Sequence, residues 1–388
     1  MLLRSLRLVG FKSFRDARIP FGPFTLLVGT NASGKSNVQD ALRFLHGCAQ
    51  GFSLAEVMDE KWGQGGLLLW RGIRGGAREI AWAGKESFSL EAVLEDPRRS
   101  EYAVTVEFRT TKRGRVPFVV HEVIREGVHL SRNDVSARER SFLGEEKVEH
   151  SKMTGALLGV RFLDLTPETM RIPSSPGLQV LGDRGENLSA VLLNITSDEG
   201  KKAALLGWLR ALTPLDVVDL RFHEDLLGRV LVYLVESNGR EISAQSASDG
   251  TLRFLALAAA LLSSESGRLF FIEEIDNGLH PTRLHLLLDV IEQATRTMDC
   301  QVVATTHNPQ LLAFLSAEAR EDAVLLYRRE HENASEAMRV LDLPDVRRVL
   351  ASQDLGRLFA TGWLEDAVEF LAAGVDEATP KAKVKGRR

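Results

Sequence analysis

Apolar positions along the chain follow two rhythms. Phe24–Val28 is a continuous apolar run, short enough for a strand and apolar enough to be buried on both faces. Leu269–Ile272 and Gln301–Thr305 repeat that pattern. Between such runs the period lengthens. Asn37–His46 places Val38, Ala41, Leu42 and Leu45 on one helical face. Thr251–Leu262 and Pro281–Thr297 also predict helices. Met1–Val9 and Ala17–Phe21 predict short strands around the turn-like segment Gly10–Asp16. In the middle, glycines cluster at Gly63–Gly76, and strand-like runs follow at Phe88–Leu94, Tyr102–Arg109 and Phe118–Arg125. The charged stretch Arg138–Lys152 is expected to cross the surface. Phe162–Thr166, Gly177–Leu181 and a helix near Asn187–Asn194 lead into a helical region at Lys201–Leu212, and Arg229–Glu236 predicts a further strand. The basic tail Lys381–Arg388 is expected to lack regular structure.

The pattern predicts an α/β fold with a mixed sheet. A second antiparallel β-layer is expected from the N-terminus and part of Phe88–Arg125, and a helical lobe over about Lys152–Leu212. The expected divisions are an N-terminal lobe over 1–60, a β-rich insertion over 61–151, a helical region over 152–245, a C-terminal lobe over 246–330 and an extension over 331–388. No internal repeat or sustained heptad array is present.

Composition narrows the class. The chain is 44% hydrophobic and 26% charged, with a formal net charge of −4, which excludes a uniformly basic nucleic-acid coat. Cys48 and Cys300 are isolated, so neither a zinc site nor a disulfide framework is expected. The apolar run near Phe254–Leu262 is far short of the roughly 18 residues of a membrane span, and Met1–Val9 has no signal-peptide core. A soluble, cytoplasmic protein is expected.

Four segments carry candidate chemistry. Gly29-Thr30-Asn31-Ala32-Ser33-Gly34-Lys35-Ser36 is a full G-x-x-x-x-G-K-[ST] between a predicted strand and helix. Glycines let main-chain N–H groups converge on phosphates, and the helix turns its positive end toward them. Lys35 then reaches the outer phosphates and Ser36 offers a hydroxyl to Mg²⁺. Arg268–Glu274 is an apolar strand ending in two acids. Beside a P-loop the first, Glu273, is placed to hold Mg²⁺, and the second, Glu274, to take a proton from attacking water. Ser246–Thr251 opens an apolar helix with Ser248 and Gly250, an anion-ready start. His307 ends the strand Gln301–Thr306, where it can sense a γ-phosphate by hydrogen bonding.

In this order the motifs resemble the ABC-ATPase head, and more narrowly the stand-alone AAA/ABC-type ATPases related to RecF, the OLD ATPase module and SMC heads. Gly10-Phe11-Lys12-Ser13-Phe14 is similar to the family's N-terminal strand–turn, and Asn31–Asn37 to its N-x-S-G-K-S-N form. Ile275–Pro281 resembles its D-loop, Thr305–Pro309 its T-T-H-S-P switch, and Gly185–Leu188 a mid-chain element. The resemblance spans about Met1–Leu312. It implies a P-loop NTPase head with a mixed central sheet, an antiparallel β-subdomain and a helical lobe, binding ATP with Mg²⁺. It also implies that Gly29, Asn31, Ala32, Ser33, Gly34, Lys35, Ser36 and Asn37 hold the nucleotide of one protomer. Ser248 and Gly250 of a second copy would close over it. Glu274 and His307 would be catalytic, Ser36 and Glu273 would hold the metal, and Asp276–Gly278 would cross the dimer interface. A glutamine between the P-loop and the signature is expected, with Gln50 and Gln179 as candidates.

Two departures bear on turnover. Glu273 replaces the family's Asp, moving the carboxylate by more than about 1 Å. Asp249 interrupts Ser-Gly-Gly and puts a carboxylate near a phosphate site. Relatives of this kind imply an ATP-gated head that acts on DNA or on a DNA-acting partner, in anti-phage defence or repair. No nuclease signature follows His307, so cutting would belong to a separate effector chain. The other readings are a low-turnover regulatory dimer and a transporter energy subunit.

Overall fold

The computed structural model describes residues 2–63, 68–96, 100–111, 114–125, 129–135, 143, 151–212, 216–263, 268–328 and 333–369. Most of the charged stretch Arg138–Lys152, and the whole of the tail Lys381–Arg388, lie outside them.

The N-terminus forms β1 (Leu2–Phe11) and β2 (Phe14–Pro20), followed by β3 (Phe24–Val28). The insertion holds β4 (Lys61–Trp62), β5 (Leu68–Trp70), β6 (Ser87–Glu95), β7 (Glu101–Thr111), β8 (Gly114–Arg125) and β9 (His129–Val135). Then come β10 (Val160–Leu163), β11 (Val217–Glu224), β12 (Val230–Glu236) and β13 (Glu241–Ser243). The C-terminal half adds β14 (Leu269–Ile272), β15 (Gln301–Thr306), β16 (Val324–Arg328) and β17 (Ser335–Arg339).

One hydrogen-bonded sheet of twelve strands runs β10-β14-β15-β3-β16-β17-β2-β1-β6-β7-β8-β9. From β10 to β16 the neighbours are parallel, and from β2 to β9 they are antiparallel. The expected antiparallel strands are therefore joined to the central sheet by hydrogen bonds, and they share a core cluster with the helix Lys35–Ala49. The join is narrow: β17 meets β2 in parallel at Ser335↔Phe14. Sequence reading passed over β16 and β17, and β17 belongs to the segment expected as an extension.

β3 is central because both its faces are covered. Phe24, Leu26 and Val28 pack in one core cluster and Leu27 in the other. The first cluster takes the helices Asp249–Leu262 and Leu284–Thr297, the second the helix Lys35–Ala49. β6 buries every second residue (Phe88, Leu90, Ala92, Leu94), as a half-covered antiparallel strand must. Gln301, 1% exposed, bolts the two halves together. Its Oε1 accepts from Leu3 N (2.9 Å), and its Nε2 donates to the carbonyls of Leu3 and Gly22 (2.8 Å each). Among the described residues no helix is long and apolar enough to cross a membrane.

His46 lies where the helix Lys35–Ala49 meets the insertion, stacked against Trp70 at 5.9 Å and edge-on to Phe162 at 5.8 Å. Its Nδ1 donates to Leu157 O (2.7 Å) while Gln50 Nε2 donates to its Nε2 (3.3 Å), which fixes the neutral tautomer. Burial lowers its pKa to about 4, against the pull of the Leu157 carbonyl.

Unfolding releases this imidazole to an ordinary pKa near 6.5, so the unfolded chain takes up the proton first as pH falls. The His46 contribution is complete above pH 6.5 and is lost between 6.5 and 4, by about 3 kcal/mol at most. Urea unfolding at pH 7.5 and pH 4.5 is expected to show that loss in the parent chain and not in His46→Gln. An equal pH dependence in both removes the assignment. Gln301→Leu strands Leu3 N and two carbonyls, and is expected to cost about 2–3 kcal/mol in the same assay at pH 7.5.

Candidate nucleotide-binding site

Parallel strands bring the candidate chemistry to one edge. Val28 pairs with Thr306, Ile272 with Ala304, and Leu163 with Ile272, so β3, β15, β14 and β10 end close together. Segments leaving those ends meet at the crevice outside the carboxyl ends of the strands.

The P-loop leaves β3 at Gly29, whose φ is 151°. A Cβ there would stand 2.1 Å from Leu326 O of β16, so only glycine fits. Gly34 (φ 112°) is closed in likewise, by Phe14 and Ser335. Ala32 takes φ 64° with a side chain, a conformation that costs on the order of 1 kcal/mol. The helix Lys35–Ala49 then starts without a side-chain cap, leaving its N-terminal end to another acceptor. Lys35 Nζ donates to the carbonyls of Gly29 (2.6 Å) and Thr30 (2.9 Å). Burial lowers its pKa, and the Glu274 charge acts the other way. Ser33 Oγ is buried without a hydrogen-bond partner, and Ser33 does not line the cavity that the loop borders.

The loop is braced from behind. Asp40, on the next turn of the helix, is 2% exposed and pairs with Lys12 Nζ at 2.7 Å and Arg74 Nη2 at 3.1 Å. The same Nη2 donates to Ser36 O. Asn37 Nδ2 donates to Ser13 Oγ (2.7 Å), and Ser335 Oγ to that same oxygen (2.7 Å). The N-terminal turn, the P-loop helix and β17 thus hold one another.

Opposite the loop stand the acids. Glu273 follows β14 directly, and Glu274 has φ 46°, held there as its N–H donates to Thr305 Oγ1 at 2.9 Å. Asn277 Nδ2 donates to Glu274 Oε2 at 3.4 Å, and His307 Nδ1 stands 3.9 Å from Glu274 Oε1. Thr306 Oγ1 donates to Asp276 Oδ1 (2.7 Å), tying β15 to the turn that follows Glu274. One cavity of ≈630 Å³ is lined by Asn31, Ala32, Gly34, Lys35, Ser36 and Asn37 on one side and by Glu273, Glu274, Asn277 and His307 on the other.

The Ser36 hydroxyl and the Glu273 carboxylate share this cavity. Among the described residues no three His, Cys, Asp or Glu side chains converge as a metal cage. One hydroxyl, one carboxylate and phosphate oxygens are the donor set that suits Mg²⁺, and the residues fit it.

Ser248 and Gly250 stand apart from that lining. Ser248 caps the helix Asp249–Leu262, accepting from Thr251 N at 3.2 Å. Gly250 abuts the D-loop: a Cβ on it would stand 2.2 Å from Gly278 O. Asp249 is pinned sideways by Arg171 Nη2 at 2.6 Å.

Neither Gln50 nor Gln179 lines the cavity; Asp164, at the end of β10, does. Arg253 and Arg328 line it too. Strand order places Asp164 and Arg328, and the helix Asp249–Leu262 places Arg253.

No curated protein sequence matches the chain significantly. Among solved structures it is similar to an SMC head bound to the C-winged helix domain of ScpA, with 16% identity, 87% of this chain and 97% of that chain covered, and a TM-score of 0.55. It is similar as well to an SMC head with an extended coiled coil bound to the C-terminal domain of ScpA, derived from Pyrococcus furiosus. There the identity is 14%, the coverage 90% of this chain and 99% of that one, and the TM-score 0.52. Both likenesses are of fold, that of an ATPase head of the AAA/ABC type. With the P-loop and the acids on one strand edge of that fold, and a family model described as "AAA domain, putative AbiEii toxin, Type IV TA system" matching residues 24–313, the chain belongs to that AAA-domain family.

Proposed function

We propose that the protein hydrolyses ATP, and does so when two copies close over the nucleotide. The observation that carries this reading is a division. The P-loop, Glu273, Glu274 and His307 share one cavity, whereas Ser248 and Gly250 do not line it. Arg253 of the helix Asp249–Leu262 lines the cavity, but the serine-led start of that helix does not, and would complete the site of another molecule. Gly250 lies against Gly278, so the signature and the D-loop are presented as one surface.

In this reading Gly29–Ser36 cradles the phosphates through main-chain N–H groups. Lys35 leaves the carbonyls of its own loop and pairs with the outer phosphates. Ser36 and Glu273 hold Mg²⁺, which when bound neutralises phosphate charge. Glu274 takes the proton of the attacking water, and His307 donates a hydrogen bond to the γ-phosphate side. Asn277 keeps Glu274 oriented. Asp249 stays on Arg171, which removes its charge from the partner's phosphate.

ATP closure would in turn drive a separate effector chain that acts on DNA, in anti-phage defence or repair. The SMC heads that the chain resembles in fold were solved with parts of ScpA bound, which supports a role beside a separate chain. A low-turnover regulatory dimer is the second reading, favoured by Glu273, whose longer side chain moves the metal-binding carboxylate.

Lys35→Ala is expected to weaken ATP binding at least about 100-fold in calorimetry, as loss of a charge-paired phosphate contact requires. Retained affinity contradicts the P-loop assignment. Glu274→Gln is expected to bind ATP normally and to hydrolyse it about 10²–10⁴-fold more slowly. Unchanged phosphate release removes Glu274 from that role. A parent chain that binds ATP but releases phosphate no faster than ATP hydrolyses without protein selects the regulatory reading. Stimulation of turnover by duplex or single-stranded DNA at low salt is expected; a flat response at every salt concentration removes the DNA role.

A further inference from the structure

The nucleotide cavity has a neighbour. Thr30, Asn31 and His307 also line one wall of a second cavity, of ≈570 Å³, whose other wall holds Phe359, Gly362 and Glu365. That wall lies beyond the residues 24–313 matched by the family model, so it is a feature of this chain's own C-terminal region. It is fixed in place. The helix Leu355–Ala360 packs on the helix Pro309–Ala313, which starts two residues after His307. A Cβ on Gly356 would stand 2.2 Å from Pro309 O, so the two helices touch backbone to backbone.

Glu365 brings an unmet demand to this wall. Its Oε2 is buried and has no hydrogen-bond partner. Burial holds its carboxyl above the usual range, and Asp366 pushes the same way. A carboxylate so placed gains from any cation that reaches it. Phe359, half-buried, lines the same cavity.

The signature side of the molecule offers the complement. Arg171 Nη2 donates to Ala247 O (3.0 Å) and Asp249 Oδ1 (2.6 Å), which seats the guanidinium beside Ser248. A guanidinium has five N–H donors, so donors remain beyond those two contacts. The next residue, Ile172, is 53% exposed. One surface thus carries an acid and an aromatic ring, and the other a cation and an exposed aliphatic side chain. A two-fold axis would bring the two surfaces together twice.

We propose that Glu365 and Phe359 form a docking surface for the signature rim of a second copy, Glu365 pairing with the partner's Arg171 and Phe359 packing on the partner's Ile172. This rests on the dimeric reading above and adds a wall that the nucleotide alone does not supply. The pair sits at the lip of each site and admits the serine-led helix start toward Asn31 and His307. It also links the C-terminal region to the switch strand through Pro309.

The test uses the full chain carrying Glu274→Gln, with dimerisation in ATP followed by analytical ultracentrifugation. Adding Glu365→Arg is expected to weaken the dimer at least about 10-fold, as a like-charge contact across an interface does. Glu365→Gln weakens it less, and ATP binding by the monomer stays unchanged in both, which also reports folding. Cysteines placed by Phe359→Cys and Ile172→Cys are expected to crosslink two copies in ATP, a test that leaves the Arg171–Asp249 pair intact. Undiminished dimerisation of the Glu365→Arg chain overturns this inference alone, and absence of the crosslink overturns the meeting of the two surfaces. If the Glu274→Gln chain never dimerises in ATP, the dimeric reading itself fails.

Discussion

The parallel run β10-β14-β15-β3 is the constraint on which the rest of the structure depends. Parallel neighbours must end on the same side of a sheet, so the loops after Val28, Thr306, Ile272 and Leu163 leave from one edge. That edge is why a glycine-rich loop and two acids, some 240 residues apart by the numbering of Gly29 and Glu273, line one cavity. Close contact between backbones then sets the detail. Gly29 lets the loop turn against the carbonyl of Leu326, and Gly250 lets the signature helix lie on the D-loop at Gly278. A methyl group at either position would separate backbones that meet there.

The buried ion pairs behind the loop serve position more than stability. Asp40 is almost wholly enclosed, and a buried carboxylate gives little net stabilisation even when paired. Lys12 and Arg74 reach it from segments on either side of the P-loop in sequence. Arg74 also takes the Ser36 carbonyl, so the first turn of the helix is fixed relative to the insertion. The insertion contributes more than sheet strands. It carries a clamp on the residue that presents a hydroxyl to the cavity.

How much of this was legible depended on distance along the chain. The P-loop, the acidic strand end and the Thr-Thr-His strand end are contiguous motifs, each between a strand and a turn or helix, and periodicity found those elements. β17 was not legible, because Ser335–Arg339 has only Ala337 and Met338 as apolar residues and no strand rhythm. The single pairing Ser335↔Phe14 joins the antiparallel strands to the parallel core, and no local pattern encodes it. Asp164 and Arg328 escaped for the same reason: strand order puts them at the cavity, whereas Arg253 reaches it from the helix Asp249–Leu262. Arg171 was invisible as the partner of Asp249 because 78 residues separate them.

Mixing two inactive variants tests the shared-site account most directly. Lys35→Ala removes the phosphate grip of one copy, and Ser248→Arg blocks the closing surface of the other. Each alone is expected to hydrolyse no ATP. A heterodimer of the two keeps one site with an intact Lys35 from one copy facing an intact Ser248 from the other. Phosphate release that returns on mixing, to a substantial part of the parent rate per heterodimer, is the predicted result. Heterodimers that form and remain as inactive as the separate variants would contradict the account.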